Sequence, residues 1–407
     1  MFFWIHKWLN MSDVAVAAEH GSQGRLLVPA LVIGTMSVSV SITMLQLFLV
    51  DVGSTFNVSV GVAGQLATVN HAGEFVSALL MGVLAVRFRY KPLILAGMLF
   101  VLFSAVGSFF APDFVTLQFF FAVEGLGTVM FAVMSRTLIG DVFAPQKRAK
   151  AVSYLMAALF AMALISIPLS GLIANVAGWR SNFVMQTLPI TLAGLVLALL
   201  IVPSKLNGQI VAVRKASYVE SFKQVLTDKS ATACLASQIL AAAGSMESIF
   251  GIALYRERFS VPLNFTVVIA MTSFAIFIVG SLVAGRLTNR FGAKPTTVAG
   301  TLLCGVFAMV YFIVPNLWGA LIFNFLTAWF ASIGVTSYTC LALAQVPKSR
   351  GTMMSLNSAV EALGTTIGPA VGGALLILTS EFYGAVGLAL GGMFLVSAMI
   401  RLFLTKD

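Results

Sequence analysis

Charge is what this sequence has least of. Of its 407 residues only 9% are Asp, Glu, Lys or Arg, against 59% hydrophobic, and the mean hydropathy is +1.00. A soluble globule of this length needs far more polar surface to meet water, so a soluble fold is excluded. Cysteine is scarce too: Cys234, Cys304 and Cys340 stand apart without a CxxC spacing, which excludes a zinc ribbon or a disulfide framework. There is no GxxxxGK[ST] loop, so ATP hydrolysis is not expected. No group of His and Cys ligands and no Ser-His-Asp set points to a metal site or a membrane enzyme, and no cofactor is expected. A cleavable leader is not expected either, because Phe2–Leu9 is too short for its apolar core and polar residues follow. Residues 1–10 read as an interfacial flap, or translation starts at Met11.

What is abundant is long apolar runs. Twelve stretches of about 20 residues, enough to cross a hydrocarbon core of about 30 Å as helix, fall near 26–50, 62–86, 92–111, 115–137, 150–174 and 182–203, then 231–254, 264–287, 296–315, 317–343, 353–379 and 383–404. The net charge of +10 is not spread evenly: with the N-terminus inside, all of the 24 Lys and Arg except Arg180, Arg256 and Arg258 fall on the cytoplasmic side. Positive-inside asymmetry sets both termini in the cytoplasm of a multi-pass inner-membrane protein. The same distribution removes any case for nucleic-acid binding.

The two halves repeat. Residues 82–97 and 285–300 share Gly82/Gly285, Leu84/Leu287, Arg87/Arg290, Phe88/Phe291, Lys91/Lys294, Pro92/Pro295, Ala96/Ala299 and Gly97/Gly300 at an offset of 203. Arg148/Arg350 and Pro168/Pro369 repeat at offsets of 202 and 201. Equal orientation at half-length means parallel six-helix repeats about an axis along the membrane normal, with a cavity between them. The expected organisation is a cytoplasmic segment at 1–25, a six-helix bundle at 26–203, a linker at 204–229 and a second bundle at 230–407. Within the linker, Tyr218, Phe222, Val225 and Leu226 recur at helical spacing, which predicts a short amphipathic helix at the interface.

Half of the eight glutamates lie in apolar spans: Glu74, Glu124, Glu247 and Glu361. An ionisable group there costs about 2.5–3.5 kcal/mol on insertion scales, so it needs a partner, a cavity or a proton. Glu124 is the first candidate for proton carrier and Glu74 with His71, three residues apart on one helical face, the second. Each could instead pin helices together. Asn324, Thr336 and Tyr338, on a span rich in hydroxyls, and the glutamine at the Gln118-Phe119 step are candidate cavity residues. Arg136 and Asp141 close the fourth span beside the paired basic loops, where Gly82, Arg87, Lys91, Gly285, Arg290 and Lys294 form a candidate cytoplasmic gate. Pro168 with Gly171, and Gly368, Pro369, Gly372 and Gly373, are candidate helix-bending positions.

The paired basic loops, the proline-bearing fifth span and Gly178-Trp179-Arg180-x-x-Phe183 together resemble the major facilitator superfamily, and within it the drug:proton antiporter branch of arabinose-efflux-permease type. The resemblance covers residues 26–404. It implies an all-α membrane protein of twelve transmembrane helices in two six-helix bundles, working by alternating access. The sequence departs from that pattern at Val86 and Asn289, where the loops carry Asp, at Arg89, where they carry Gly, and at Phe121 and Glu124, where the branch carries Arg and Gln. Its Gly-x-x-x-Gly-Pro-x-x-Gly-Gly stands complete at 364–373, in the second half rather than the first. Proton-coupled export of a small drug-like or sugar-like solute by a monomer in the lipid bilayer is the expected function. Solute:proton symport, or an uncoupled facilitator or sensor, is the alternative.

Overall fold

The computed structural model describes residues 23–143, 145–203, 222–346 and 350–406. The flap at 1–10 and most of the linker lie outside the described residues, as do the side chains of Arg87 and Asp141. The chain is helical throughout, as α1 (Gln23–Phe56), a single turn α2 (Val60–Ala63), α3 (Gln65–Arg87), α4 (Tyr90–Phe110), α5 (Phe114–Val142), α6 (Pro145–Ala177) and α7 (Leu188–Ile201). The second half follows as α8 (Lys229–Ser245), α9 (Glu247–Arg258), α10 (Leu263–Phe291), α11 (Ala293–Ile313), α12 (Leu317–Gln345), α13 (Arg350–Leu378) and α14 (Tyr383–Leu404). Among the described residues ten spans are long and apolar enough to cross a membrane, α8 and α9 counting as one. The polar α3, with Gln65, Asn70, His71 and Glu74, is not among the ten, and α6 qualifies only as the shorter apolar stretch Ala161–Ala177. With these two, the pattern agrees with the twelve crossings expected.

Local chemistry sets the helix ends. Asp113, Asp228 and Asn316 cap α5, α8 and α12, each accepting a hydrogen bond from a backbone N–H of the first turn, which satisfies a donor with no partner inside the helix. The two basic loops turn differently although their sequences match. The second reverses through Gly292 at φ +92°, a left-handed value that glycine alone adopts without strain. Arg89 holds the first loop extended, at φ −70° and ψ 157°, and so needs no glycine.

The halves pack internally and meet along a few helices. In the first, α3 and α4 pack on α5, and α1 on α6 and α7; in the second, α11 packs on α12 and α14, and α8 on α13 and α14. Across the middle α1 meets α9, α3 meets α13, and α6 meets α10. The glycines of 364–373 do their work here: a Cβ on Gly364 or Gly368 would lie 2.3 Å from the carbonyl oxygens of Ile239 and Ala243 on α8, and one on Gly373 would lie 2.5 Å from that of Gly61. They are sites of close helix approach. Pro168 and Pro369 lie inside the unbroken helices α6 and α13. The backbone departs from α-helix elsewhere, at Phe48 in α1, at Met246 between α8 and α9, and in a π-turn at Phe183–Thr187.

The cores show which side is closed. One cluster contains Val52, Leu66, Phe121 and Ile167 of the first half together with Phe250, Val267, Phe312 and Leu390 of the second. It lies at the ends where α1 finishes and α14 begins, the distal side. At the terminal side, where α1 begins and α14 finishes, the cores are separate. Leu27, Ile94, Phe131 and Leu155 belong to one half, and Leu235, Leu341 and Met353 to the other. Among the described residues, apolar packing therefore joins the halves distally and leaves them parted terminally.

Candidate translocation site

The distal closure is also polar. Arg256, at the end of α9, makes a bidentate ion pair with Asp51 on α1, its Nη2 donating to Oδ1 at 2.9 Å and its Nη1 to Oδ2. Its neighbours on α9 hold other helices: Glu257 accepts from the Tyr383 hydroxyl on α14 at 2.6 Å, and Arg258 donates to the carbonyl of Phe312 at the end of α11 at 3.0 Å. Asn175 on α6 donates to Asn264 on α10 at 2.5 Å, and Gln46 on α1 to Ser248 on α9 at 3.4 Å. Three of these five contacts, Arg256–Asp51, Asn175–Asn264 and Gln46–Ser248, join the two halves.

Facing the terminal opening is a charged group that the fold assembles from three helices. Arg136 on α5 and Glu361 on α13 are exposed although both lie in apolar spans. They attract each other across the two halves, and Glu361 also feels the like charge of Glu74 on α3. Side chains that are open to solvent at such depth line a cleft between the bundles, since lipid would not tolerate them. Glu74 is held by His71, whose Nδ1 stands 2.8 Å from its Oε2. Glu361 thus faces one cation, Arg136, and one like charge, Glu74, which His71 holds.

Of the other residues singled out in the sequence, Tyr338 is near enough to Glu361 to feel its charge. Glu124 is buried, 3% exposed, in α5. Glu247 is buried at the first residue of α9, where the Tyr311 hydroxyl donates to it. Tyr338 is 2% exposed and donates to Asn357 Oδ1 at 2.7 Å; Asn324 bonds to Tyr255; Thr336 is half-buried on α12. Gln118 is half-buried at the distal end of α5, beside Phe119, which is exposed on the bundle surface. These four candidates share no single wall.

The lysines of the two basic loops act within their own halves. Lys91 donates to the carbonyl of Leu199 at the end of α7 at 2.6 Å, and Lys294 to that of Thr405 past the end of α14 at 2.7 Å. Each places a cation on the C-terminal carbonyls of the last helix of its bundle, where the helix dipole favours it. Arg290 lies over the ring of its neighbour Phe291. Gly285 has open space about it, so it serves no close helix approach.

Three functional-looking features escape the sequence pattern. Asp51 and Arg256 lie 205 positions apart, so nothing local pairs them. The break at Met246 carries no proline. Arg401, read only as one of the terminal basic residues, is 2% exposed: it donates to Ser237, Thr301 and Gln238 at 2.8–3.0 Å and lies 4.4 Å above the Tyr338 ring.

Known proteins agree with this architecture. The profile of the Major Facilitator Superfamily matches residues 31–279 and again 248–407. The uncharacterized MFS-type transporter YceJ of Bacillus subtilis (strain 168) is 23% identical over 339 residues, 81% of this chain and 84% of that protein. Among solved structures, that of a D-xylose-proton symporter superposes with a TM-score of 0.78 at 14% identity, covering 93% of this chain and 97% of the other. A bacterial homolog of the human lysosomal transporter Spinster, inward-facing and unoccupied, superposes with a TM-score of 0.72 at 15% identity, covering 95% and 96%. At these identities the structures speak for the fold alone.

Proposed function

The chain belongs to the Major Facilitator Superfamily, which makes it a multi-pass membrane transporter and not an enzyme, and from that premise we propose that it exports a small drug-like or sugar-like solute in exchange for protons. The observation that carries the proposal is the cross-bundle group of Arg136, Glu361 and Glu74 at the terminal opening. Closing that side brings α5 and α13 together and drives water out from between them. One guanidinium offsets one carboxylate, so the second must be neutralised before it is buried. A proton on Glu361 does this, a cationic solute does it too, and a hydrogen-bond-donating solute lowers the cost of burial by solvating the charge. Either occupant permits closure, and the empty, ionised site resists it. That is the rule an exchanger needs: proton and solute ride on alternate half-cycles.

The terminal side is assigned to the cytoplasm of the inner membrane, from the excess of Lys and Arg in its loops. The distal contacts then form the closed outer gate of an inward-open monomer surrounded by lipid. An ion gradient takes the place of any bound cofactor. The drug:proton antiporter branch, of arabinose-efflux-permease type, fits this reading. The carrier it favours is Glu361 rather than Glu124, because Glu361 meets the opening while Glu124 is enclosed in its own bundle.

The test is transport in proteoliposomes under an imposed pH gradient. Glu361→Gln keeps counterflow exchange of solute but loses accumulation against a gradient, whereas Glu124→Gln retains most of it. Full gradient-driven accumulation in Glu361→Gln sinks the proposal. A symporter reading draws on the D-xylose-proton symporter, which has the same fold; it predicts that solute moves with the proton gradient, where export predicts that it moves against it. Transport indifferent to pH and sodium gradients would match the uncoupled facilitator suggested by Val86, Asn289 and Phe121.

A further inference from the structure

The crossing formed by α8 and α9 is broken where no proline requires it. α8 ends at Ser245, Met246 takes φ −73° and ψ −2°, and α9 restarts at Glu247. Glu247 is 8% exposed, yet Ser245, Met246 and Ser248 around it are half-buried. The break lies against α13, where a Cβ on Gly368 would come within 2.7 Å of Met246, and Met246 packs on the core that joins the two halves. Below it Phe250 plugs the distal side: a Cβ on Gly64 of the facing half would come within 2.7 Å of that ring.

The carboxyl has a partner made for it. Tyr311, 1% exposed on α11, donates its hydroxyl to Glu247 Oε2. Room for that hydroxyl exists because residue 251 is glycine, where a Cβ would stand 2.8 Å from the phenol oxygen. Among the described residues no cation stands beside the carboxyl. From α11, Tyr311 and Cys304 face the carboxyl, and from its own helix Tyr255. Arg256 is committed to Asp51 on α1 and Arg258 to the end of α11. On α14, Tyr383 serves Glu257; on α13, Glu361 answers to Arg136 and Glu74. A buried carboxylate held by one hydroxyl and no cation is costly; a carboxylic acid there is not.

We infer that Glu247, with Tyr311 as its hydrogen-bond donor, is a second proton-binding site of the transport cycle, separate from the Arg136–Glu361–Glu74 group. It lies on the helix that carries Phe250 of the distal plug, and one residue from Ser248, which Gln46 of the other half holds. Rocking the halves moves α9 relative to α1 and exposes the carboxyl to one aqueous phase or the other. A proton is taken up by the carboxylate on the outer side and returned to water on the inner side, with Tyr311 keeping its own. The inference rests on proton-coupled transport as proposed above.

The experiment measures the proton:solute ratio from the zero-flux potential in proteoliposomes, for the wild type, Glu247→Gln and Tyr311→Phe. Wild type without proton coupling refutes the proposed function itself. With coupling present, Glu247→Gln should lower the ratio by one proton per solute while counterflow persists; an unchanged ratio refutes the second site alone. Tyr311→Phe removes one oxygen and keeps the ring, so it tests the site even if Glu247→Gln fails to fold. Losing the donor makes the ionised carboxyl harder to reach, so the pH of half-maximal proton flux should rise. A profile superimposable on the wild type overturns the inference.

Discussion

Arg256 holds more of the closed distal face than its place in a run of three charges suggests. Its guanidinium is 15% exposed and the Asp51 carboxylate 28%, so water screens the pair only in part. Asp51→Asn leaves the guanidinium short of a counter-charge in a half-dry site, and should weaken closure by about 1–2 kcal/mol, roughly tenfold in the ratio of closed to open forms. The readout is labelling of a cysteine placed at Ser248 by a membrane-impermeant reagent added outside. Labelling should rise in Asp51→Asn and fall back in the charge-reversed pair Asp51→Arg with Arg256→Asp. No rise in the single variant would remove the pair from the gate. At this scale the sequence disclosed what lies close along the chain. His71 and Glu74 are legible as a pair because three residues bring them onto one helical face. Arg136 and Glu361 are each visible as an anomalous charge, but their meeting depends on how α5 and α13 cross, which no spacing encodes. Arg401 was hidden for a further reason: a basic residue at the last turn of a terminal helix normally lies in the interface, and hydropathy cannot tell that from a cation turned inward onto Ser237, Gln238 and Thr301.

Side-chain caps mark the starts of α2, α5, α8 and α12. Asp228 shows how this can be tested. Its carboxylate accepts from the N–H groups of Ser230 and Ala231, at 2.8 and 3.0 Å, and from Lys406 at the far end of the chain. Those bonds, the Ala231 one first, hold its pKa below the ordinary 3.8. A lowered value in the folded state means the stabilisation is complete above the ordinary pKa and is lost as the pH falls through the folded one. Asp228→Ala should therefore cost about 1 kcal/mol at neutral pH, seen as a lower melting temperature in detergent, and the difference from wild type should shrink as the pH is taken below 4. A difference that persists in acid would mean the cap does not act through its charge. Helix ends of this kind are readable from sequence, as is glycine at the second basic loop. The break between α8 and α9 is not: Gly244-Ser245-Met246 carries no residue that forbids helix, and Gly244 lies where a Cβ would come within 2.9 Å of the carbonyl of Leu390 on α14. Pro168 and Pro369 stand in contrast, as prolines without a break in the helix. Proline frees a carbonyl, yet α6 and α13 run on through it as single helices.

For the whole molecule, duplication was legible and state was not. An offset near 200 residues recurring at three landmarks fixes parallel repeats, whereas the hydropathy of every helix is the same whichever side is open. Openness is a property of contacts between residues far apart in sequence: one apolar core common to both halves distally, two separate cores terminally. If that asymmetry is one end of a working cycle, the distal side must part to complete it. Asn175 and Asn264, in contact at the ends of α6 and α10, offer a place to prevent this without touching Arg136, Glu361 or Glu247. In the double variant Asn175→Cys with Asn264→Cys, oxidation should stop net transport and counterflow alike, and reduction should restore both. Binding of solute from the terminal side should survive the cross-link, because that side is already open. Transport that continues with the cross-link formed would mean that α6 and α10 stay together throughout the cycle, and that the two halves do not rock about this face. Either result follows from the cross-linked protein alone, with each single-cysteine variant as the control for damage at Asn175 or Asn264.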